Sequence, residues 1–274
     1  MALTTYLQDN LKENRILRWP ENCFPLKVYI APFRWYARNN TDAYRYNALV
    51  RRALEAWEKA SNGKITFKVV QTLNDSQINL DWKRVDRKAL GHCYFHFDNK
   101  NRLYSAEIQI GLSDGILYEE YQDENEVYHT ILHEVGHSLG LGHSFDEADI
   151  MYTPHRYGVI NISPRDTLSL FWLYKLPLGI SVQELAQKYG INSDNIDYII
   201  SQISNTSAKG KKSEFEEVKN SVKMPQKDLM SEQDKLAEIK KYNIGLQNIQ
   251  ISSNVQDYIK KNIIMKNNKK PKKY

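Results

Sequence analysis

Residues 133–143 read His-Glu-Val-Gly-His-Ser-Leu-Gly-Leu-Gly-His. This spacing constrains the local fold more than any other segment of the chain. His133 and His137 stand four apart, so an α-helix sets both on one face. Gly140 comes three residues later. Glycine takes positive φ without steric cost, so the helix can stop there abruptly. The chain then swings back and supplies His143. Three imidazole nitrogens, each about 2.0–2.1 Å from one zinc ion, leave the fourth tetrahedral position open, as in catalytic rather than structural sites. Glu134 points beside the metal rather than onto it. It is placed to take a proton from the water in the open position and to pass it to a leaving group. The expected centre is therefore one zinc on His133, His137 and His143, with Glu134 as general base and Gly140 as a structural residue. The competing readings are a buried helix with incidental histidines and a zinc-binding protein without turnover. Glu134 weighs against the second.

The rest of the chain reads as a frame for this segment. Apolar alternation predicts strands over 24–30, 65–70, 78–82, 89–97 and 106–110. Helical spacing of Leu49, Ala53, Ala56 and Trp57 predicts a helix over 42–60, stopped by Asn62-Gly63. Helices are also expected over 126–139 and, with Ser163 as cap and Pro164 first, over 163–174. Residues 114–123 read as a loop and 150–157 as a turn region. This order gives an α+β domain, a sheet backed by helices, over 19–179, preceded by a polar leader over 1–18. Ser181-Val-Gln-Glu184 is a capping-box pattern, opening a short helix over 182–189 that Gly190 ends. With 193–203 it makes a helical pair over 180–204. Residues 205–274 read as a linker, two further helical segments (231–242 and 255–265) and a basic tail.

Charge supports that division. Residues 180–274 carry 17 Lys against 11 Asp or Glu, while 1–179 carry 21 Lys or Arg against 22 Asp or Glu. The net +5 thus belongs to the tail, which argues against a catalytic region built around phosphate backbones. No stretch reaches the roughly 18 apolar residues of a membrane span. The first residues have no basic n-region and no apolar h-region, so no signal peptide is expected in this chain and the compartment stays open. Cys23 and Cys93 are no disulfide framework; one bridge and two free thiols are both open.

The His-Glu-x-x-His-x-x-Gly-x-x-His segment is the metzincin signature. Met151, eight residues past His143 in Asp149-Ile-Met-Tyr152, stands where that group has its methionine turn. With Ser144 directly after the third histidine, the chain resembles the matrixin branch, the matrix-metalloprotease-like group, over 19–179. The resemblance implies a twisted, five-stranded, mostly parallel sheet with an antiparallel edge strand and three helices. It implies a zinc endopeptidase acting on extended polypeptides. Substrate would pair with the edge strand at Leu90, Gly91, His92, Cys93 and Tyr94, as in other strand-addition complexes. Tyr152, Pro154 and Tyr157 would line the wall of the primed-side pocket, and Met151 would be a packed base under the metal. Thr153 stands where the astacin-like and serralysin-like branches have a tyrosine that can touch zinc, so Tyr152 is not expected to be a ligand.

The chain departs from that pattern in places. No cysteine-switch propeptide is visible, and Cys23 reads as structural. His92 and His96-Phe97-Asp98 invite comparison with the second zinc and calcium sites of animal matrixins, but a full ligand set is not visible and cross-strand contacts explain them. His129 and His155 read as surface or packing residues, His155 with a possible place in the cleft. The 182–200 helix pair matches a helix-turn-helix only loosely. A protein partner for the tail is favoured over nucleic acid. Family analogy points to secretion. The alternatives to an endopeptidase are a zinc-bound peptide- or partner-binding protein without turnover and an intracellular regulatory protease controlled by its tail.

Overall fold

Alternation along the strands explains the sheet. In β3 (Ile78–Lys83) the side chains of Ile78, Leu80 and Trp82 are buried and those between them are not. In β5 (Leu103–Gly111) Leu103, Ala106, Ile108 and Ile110 face the same core. A period of two places one row of each strand against helices and the other toward solvent. We describe a computed structural model over residues 3–33, 40–83, 90–112 and 123–208. With β1 (Leu26–Ile30), β2 (Phe67–Val70) and β4 (Gly91–Phe97), the five strands run in the order β2-β1-β3-β5-β4. All pairs are parallel except β4 with β5, which are antiparallel with Cys93 opposite Ile108 and Tyr94 opposite Glu107. This is the mostly parallel sheet with one antiparallel edge strand that the sequence led us to expect.

Helix α1 (Asn40–Ala60) lays Tyr46, Leu49, Val50, Ala53, Leu54 and Trp57 into the core. Helix α2 (Glu124–Ser138) buries Val127, Ile131, Leu132 and Val135 beside it. The Trp57 indole donates to the Leu132 carbonyl at 3.0 Å, fixing the two helices against each other. Helix α3 (Pro164–Lys175) starts at a capping box, in which Ser163 and Asp166 satisfy each other's backbone amides. The α2 start lies two residues earlier than the sequence predicts, because Asp123 caps it by accepting from the Asn125 amide at 2.7 Å. Strand β5 is longer than predicted at both ends, since β4 pairs with it from Leu103 and β3 pairs with it as far as Gly111. The predicted loop over 114–123 falls almost wholly outside the described residues. The predicted helices over 231–242 and 255–265 lie outside them entirely.

Residues read as a leader are instead packed. Tyr6, Leu7, Ile16 and Leu17 are buried with the sheet's core. Their burial is fixed by distant chain. The Ile16 amide donates to the Ile180 carbonyl (3.0 Å) and the Val182 amide to the Asn14 carbonyl (3.0 Å). A short 3-10 turn, Leu7–Asn10, follows Tyr6. Helices α4 (Val182–Tyr189) and α5 (Ile196–Ala208) share that core through Val182, Leu185, Ile196, Ile199 and Ile200. Helix α4 has the capping box read from sequence and ends at Gly190 with φ +65°. No helix among the described residues is long and apolar enough to cross a membrane.

A chain cut after residue 179 tests this packing. It would expose Ile16, Leu17 and the N-terminal turn and lose the buried side chains of Val182, Leu185, Ile196, Ile199, Ile200 and Ile203. At ~1.5–3 kcal/mol each, that loss rivals a domain's whole stability. We expect 1–179 to show no cooperative thermal transition by circular dichroism, and 1–208 to show one.

Candidate metal centre

The centre begins with how α2 ends. The Gly140 amide donates to the His137 carbonyl (2.9 Å) and the Leu141 amide to the Gly136 carbonyl (3.1 Å). These are the two bonds of a Schellman cap, with Gly140 at φ +96°. A Cβ on Gly140 would also come within 2.8 Å of the Leu17 carbonyl oxygen. Two carbonyls at the helix terminus find side-chain donors: the Trp19 indole on Ser138 (2.7 Å) and the Tyr174 hydroxyl on Leu139 (2.9 Å).

That turn brings His143 back to His133 and His137. Their candidate ligand nitrogens all lie within 4.8 Å of one another, and among the described residues no other His, Cys, Asp or Glu cluster does so. His133 Nδ1 lies 2.8 Å from the Ile150 carbonyl oxygen, and His137 Nδ1 lies 2.8 Å from that of Leu141. A carbonyl only accepts, so each Nδ1 carries the hydrogen and each Nε2 presents its lone pair. The two Nε2 atoms are 3.0 Å apart. Burial, helped by the neighbouring imidazoles, lowers the pKa of His133 to about 3 and that of His137 to about 4. Both are therefore neutral at ordinary pH, the form that ligates a metal. Two neutral, oriented imidazoles with a third beside them fit a zinc ion.

Glu134 is 6% exposed. Burial pushes its carboxyl up to about 8; a dication on the three histidines favours the carboxylate and draws it back down. Gly91, on the edge strand, makes room for it. A Cβ there would lie 2.7 Å from Glu134 Cγ and Oε1 and 2.7 Å from Thr130 Cγ2. Cys93 faces the same side, and burial, then the Glu134 charge, pushes its thiol well up. A neutral thiol is a poor nucleophile and a poor ligand. Cys23 and Cys93 both stand as free thiols.

Beneath the histidines runs the loop 144–152. The Ser144 amide donates to the Met151 carbonyl at 2.8 Å. The hydroxyls of Ser144 and Ser163 both donate to Asp149, the second at 2.5 Å, and Arg165 pairs with it. Asp166 accepts from the Ile150 amide at 2.9 Å and from the Tyr6 hydroxyl at 2.8 Å. Ile150 therefore has its amide held by Asp166 while its carbonyl orients His133. Met151 is fully buried. A Cβ on Gly136 would overlap its sulfur and come within 2.9 Å of Trp57 Cζ2.

The residues that the resemblance implies for substrate lie on the edge strand and in the loop after Met151. Strand β4 is the sheet edge, with His92, Tyr94 and His96 exposed in alternation with half-buried Gly91, Cys93 and Phe95. Leu90 accepts from the Gly111 amide at 2.8 Å, extending that pairing by one residue. Tyr152 is half-buried, and Pro154 and Tyr157 are exposed. Their loop is tied down by His155 bonding Glu126 of α2, with His129 against both His155 and the Val159 carbonyl. His129 and His155 thus link two segments, a role with no sequence signal. His96 stacks on Tyr104, and Asp98 is engaged by Arg102 at 2.6 Å. Those residues are spent on strand and turn contacts.

The profile of the matrixin family matches residues 32–175, more than half of the chain. This chain belongs to the matrixin family. A protein of Invertebrate iridescent virus 3, named as a probable matrix metalloproteinase, is 29% identical over 133 residues, covering 43% of this chain and 35% of the viral protein. Two ascovirus proteins, provisionally named matrix metalloproteinases, are also similar. That of Trichoplusia ni ascovirus 2c is 25% identical over 127 residues, 40% of this chain and 25% of its own length. That of Heliothis virescens ascovirus 3e is 27% identical over 134 residues, 43% of this chain and 28% of its own length. The matched segments thus span between a quarter and about a third of these relatives. Matrixins are zinc-dependent metallopeptidases, and in this matrixin His133, His137 and His143 are the described group that can hold the ion.

Gly91 and Gly136 escape a ligand search, although a glycine inside a helix costs about 1 kcal/mol against alanine and so asks for a reason. Substitution separates their roles. Gly136→Ala drives a methyl into Met151, and we expect a loss of about 2–3 kcal/mol in urea unfolding. Gly91→Ala displaces Glu134 instead. It should keep one zinc by elemental analysis and, where Glu134 acts as the base proposed below, lower peptide hydrolysis by about 10²-fold or more.

Proposed function

We propose that this matrixin is an endopeptidase that hydrolyses bonds within extended polypeptides, with Glu134 as general base. The observation that carries the reading is the pair of Nδ1–carbonyl bonds, which turn His133 and His137 so that their Nε2 atoms face each other 3.0 Å apart, while Glu134, next to His133 in the chain, is buried. A zinc ion held there supplies a Lewis acid that polarises a peptide carbonyl and acidifies water. Glu134 accepts the proton of the attacking water and hands it to the departing amine. Its burial strengthens both transfers by excluding bulk solvent. Strand β4 offers backbone donors and acceptors along the sheet edge, so a substrate in extended form can add as a further strand. Exposed Tyr157, in the loop after Met151, is offered as an apolar contact for substrate side chains.

The test is cleavage of a quenched fluorescent peptide library with and without a zinc chelator. We expect chelator-sensitive cleavage. Glu134→Ala should keep zinc and lose about 10²–10⁴-fold in rate, whereas His137→Ala should lose the metal. Near-normal rates in Glu134→Ala would overturn its role. Protein holding one zinc that cleaves nothing would point to capture of peptides without turnover.

A further inference from the structure

His133 and His137 stand on a helix and have their rings fixed by carbonyls. His143 stands in irregular chain and is exposed. Its placement comes through its backbone, whose amide donates to Asp9 Oδ2 at 3.2 Å. Gly142, just before it, is packed on the same N-terminal segment. A Cβ there would lie 3.2 Å from Asn10 Cβ and 3.3 Å from the Asp9 carbonyl carbon. The Leu7–Asn10 turn is therefore the surface against which the third histidine's loop rests.

That turn does not cap itself, since Tyr6 at its N-cap makes no side-chain bond to it. Asp197 of α5 does this from across the fold. Its Oδ1 accepts from the Leu7 amide (2.7 Å) and the Thr5 hydroxyl (2.5 Å), and its Oδ2 from the Gln8 amide (3.0 Å). Gln8 answers by accepting from the Ile196 amide, the first of α5, at 2.9 Å. Carboxylate-to-amide bonds of this kind are roughly twice as strong as neutral ones. The contacts run without a gap from α5, through Leu7–Gln8, to Asp9, Gly142 and His143.

We propose that the helical extension 180–208 is a working part of the metal centre: Asp197 caps the N-terminal turn, Asp9 in that turn positions the backbone of His143, and together they set how tightly the ion is held. The proposal rests on the zinc reading above. Asp9 and Asp197 are positioning residues, because neither is within the group of candidate ligand atoms. Partners that orient metal ligands are worth 10–100-fold in metal affinity. They matter most for a ligand that no helix supports.

The experiment uses the full chain and measures the zinc dissociation constant by competition with a chromophoric chelator. The visible spectrum of the cobalt(II)-substituted protein reports ligand geometry independently. Asp9→Ala and Asp197→Ala are expected to raise the zinc Kd about tenfold and to alter the cobalt bands, while Asp9→Asn, which keeps an acceptor oxygen, stays within about threefold of the parent. Ile65→Val is the control, a buried change beside β2 at the far edge of the sheet from β4. It should lower thermal stability and leave zinc affinity and spectrum unchanged. Unchanged Kd and spectrum in both alanine variants would overturn the proposal, as would a control that weakens zinc equally. If Asp197→Ala does not fold, Asp9→Ala decides alone. A parent chain that holds no zinc would overturn the metal centre and this proposal together. A parent that holds zinc, with variants that match it, would overturn this proposal only.

Discussion

Helix α2 loses its helical hydrogen-bond partners within one turn of His137, and each carbonyl released there must be satisfied inside the protein. Gly140 turns the backbone with positive φ, and Leu141 closes the cap on Gly136. The Trp19 indole and the Tyr174 hydroxyl take the Ser138 and Leu139 carbonyls. Only because these groups are paired can the chain leave the helix at once and carry His143 back beside the other two histidines. Leu141, released by the same turn, provides the carbonyl that orients His137. Helix termination and ligand orientation are therefore one event, served by residues from three separate parts of the chain.

A second layer of buried carboxylates supports the first. Asp149 gathers two serine hydroxyls and Arg165, and Asp166 gathers two backbone amides and the Tyr6 hydroxyl. Burial raises Asp166 to about 6 despite those donors, with the neighbouring Asp149 charge acting in the same direction. Such a group costs stability unless every oxygen is used. Here the use is positional. The Ile150 amide is fixed, so its carbonyl stands still under His133, and Met151 is carried into the space that Gly136 leaves.

Much of this was legible from residue order, and what was not has a physical reason. The histidine spacing, the Ser163 cap with Pro164, the capping box at Ser181 and the apolar alternation in the strands are local patterns, and they located α2, α3, α4 and the sheet. The leader was misread because Tyr6, Leu7, Ile16 and Leu17 follow no single period. Tyr6 is tied to Asp166, Leu7 to Asp197 and Ile16 to Ile180, each more than 150 residues away. Asp9, Asp149 and Asp166 look like surface acids in sequence and become parts of the site only through long-range partners. Gly91 was marked for its strand, whereas its second role, clearance for Glu134, depends on how β4 crosses α2.

The Tyr6–Asp166 bond joins positions 160 apart in sequence, and this separation governs when the centre can exist. Contacts of such range form late, because loop closure must be completed before they reward the chain. At about 5–20 residues per second of synthesis, Asp166 emerges several seconds after His133 and well after Tyr6. Until then nothing holds the Ile150 amide, and His133 has no fixed acceptor. A nascent chain therefore displays its three histidines before it can orient them, and metal-binding geometry arrives only with closure of the whole domain.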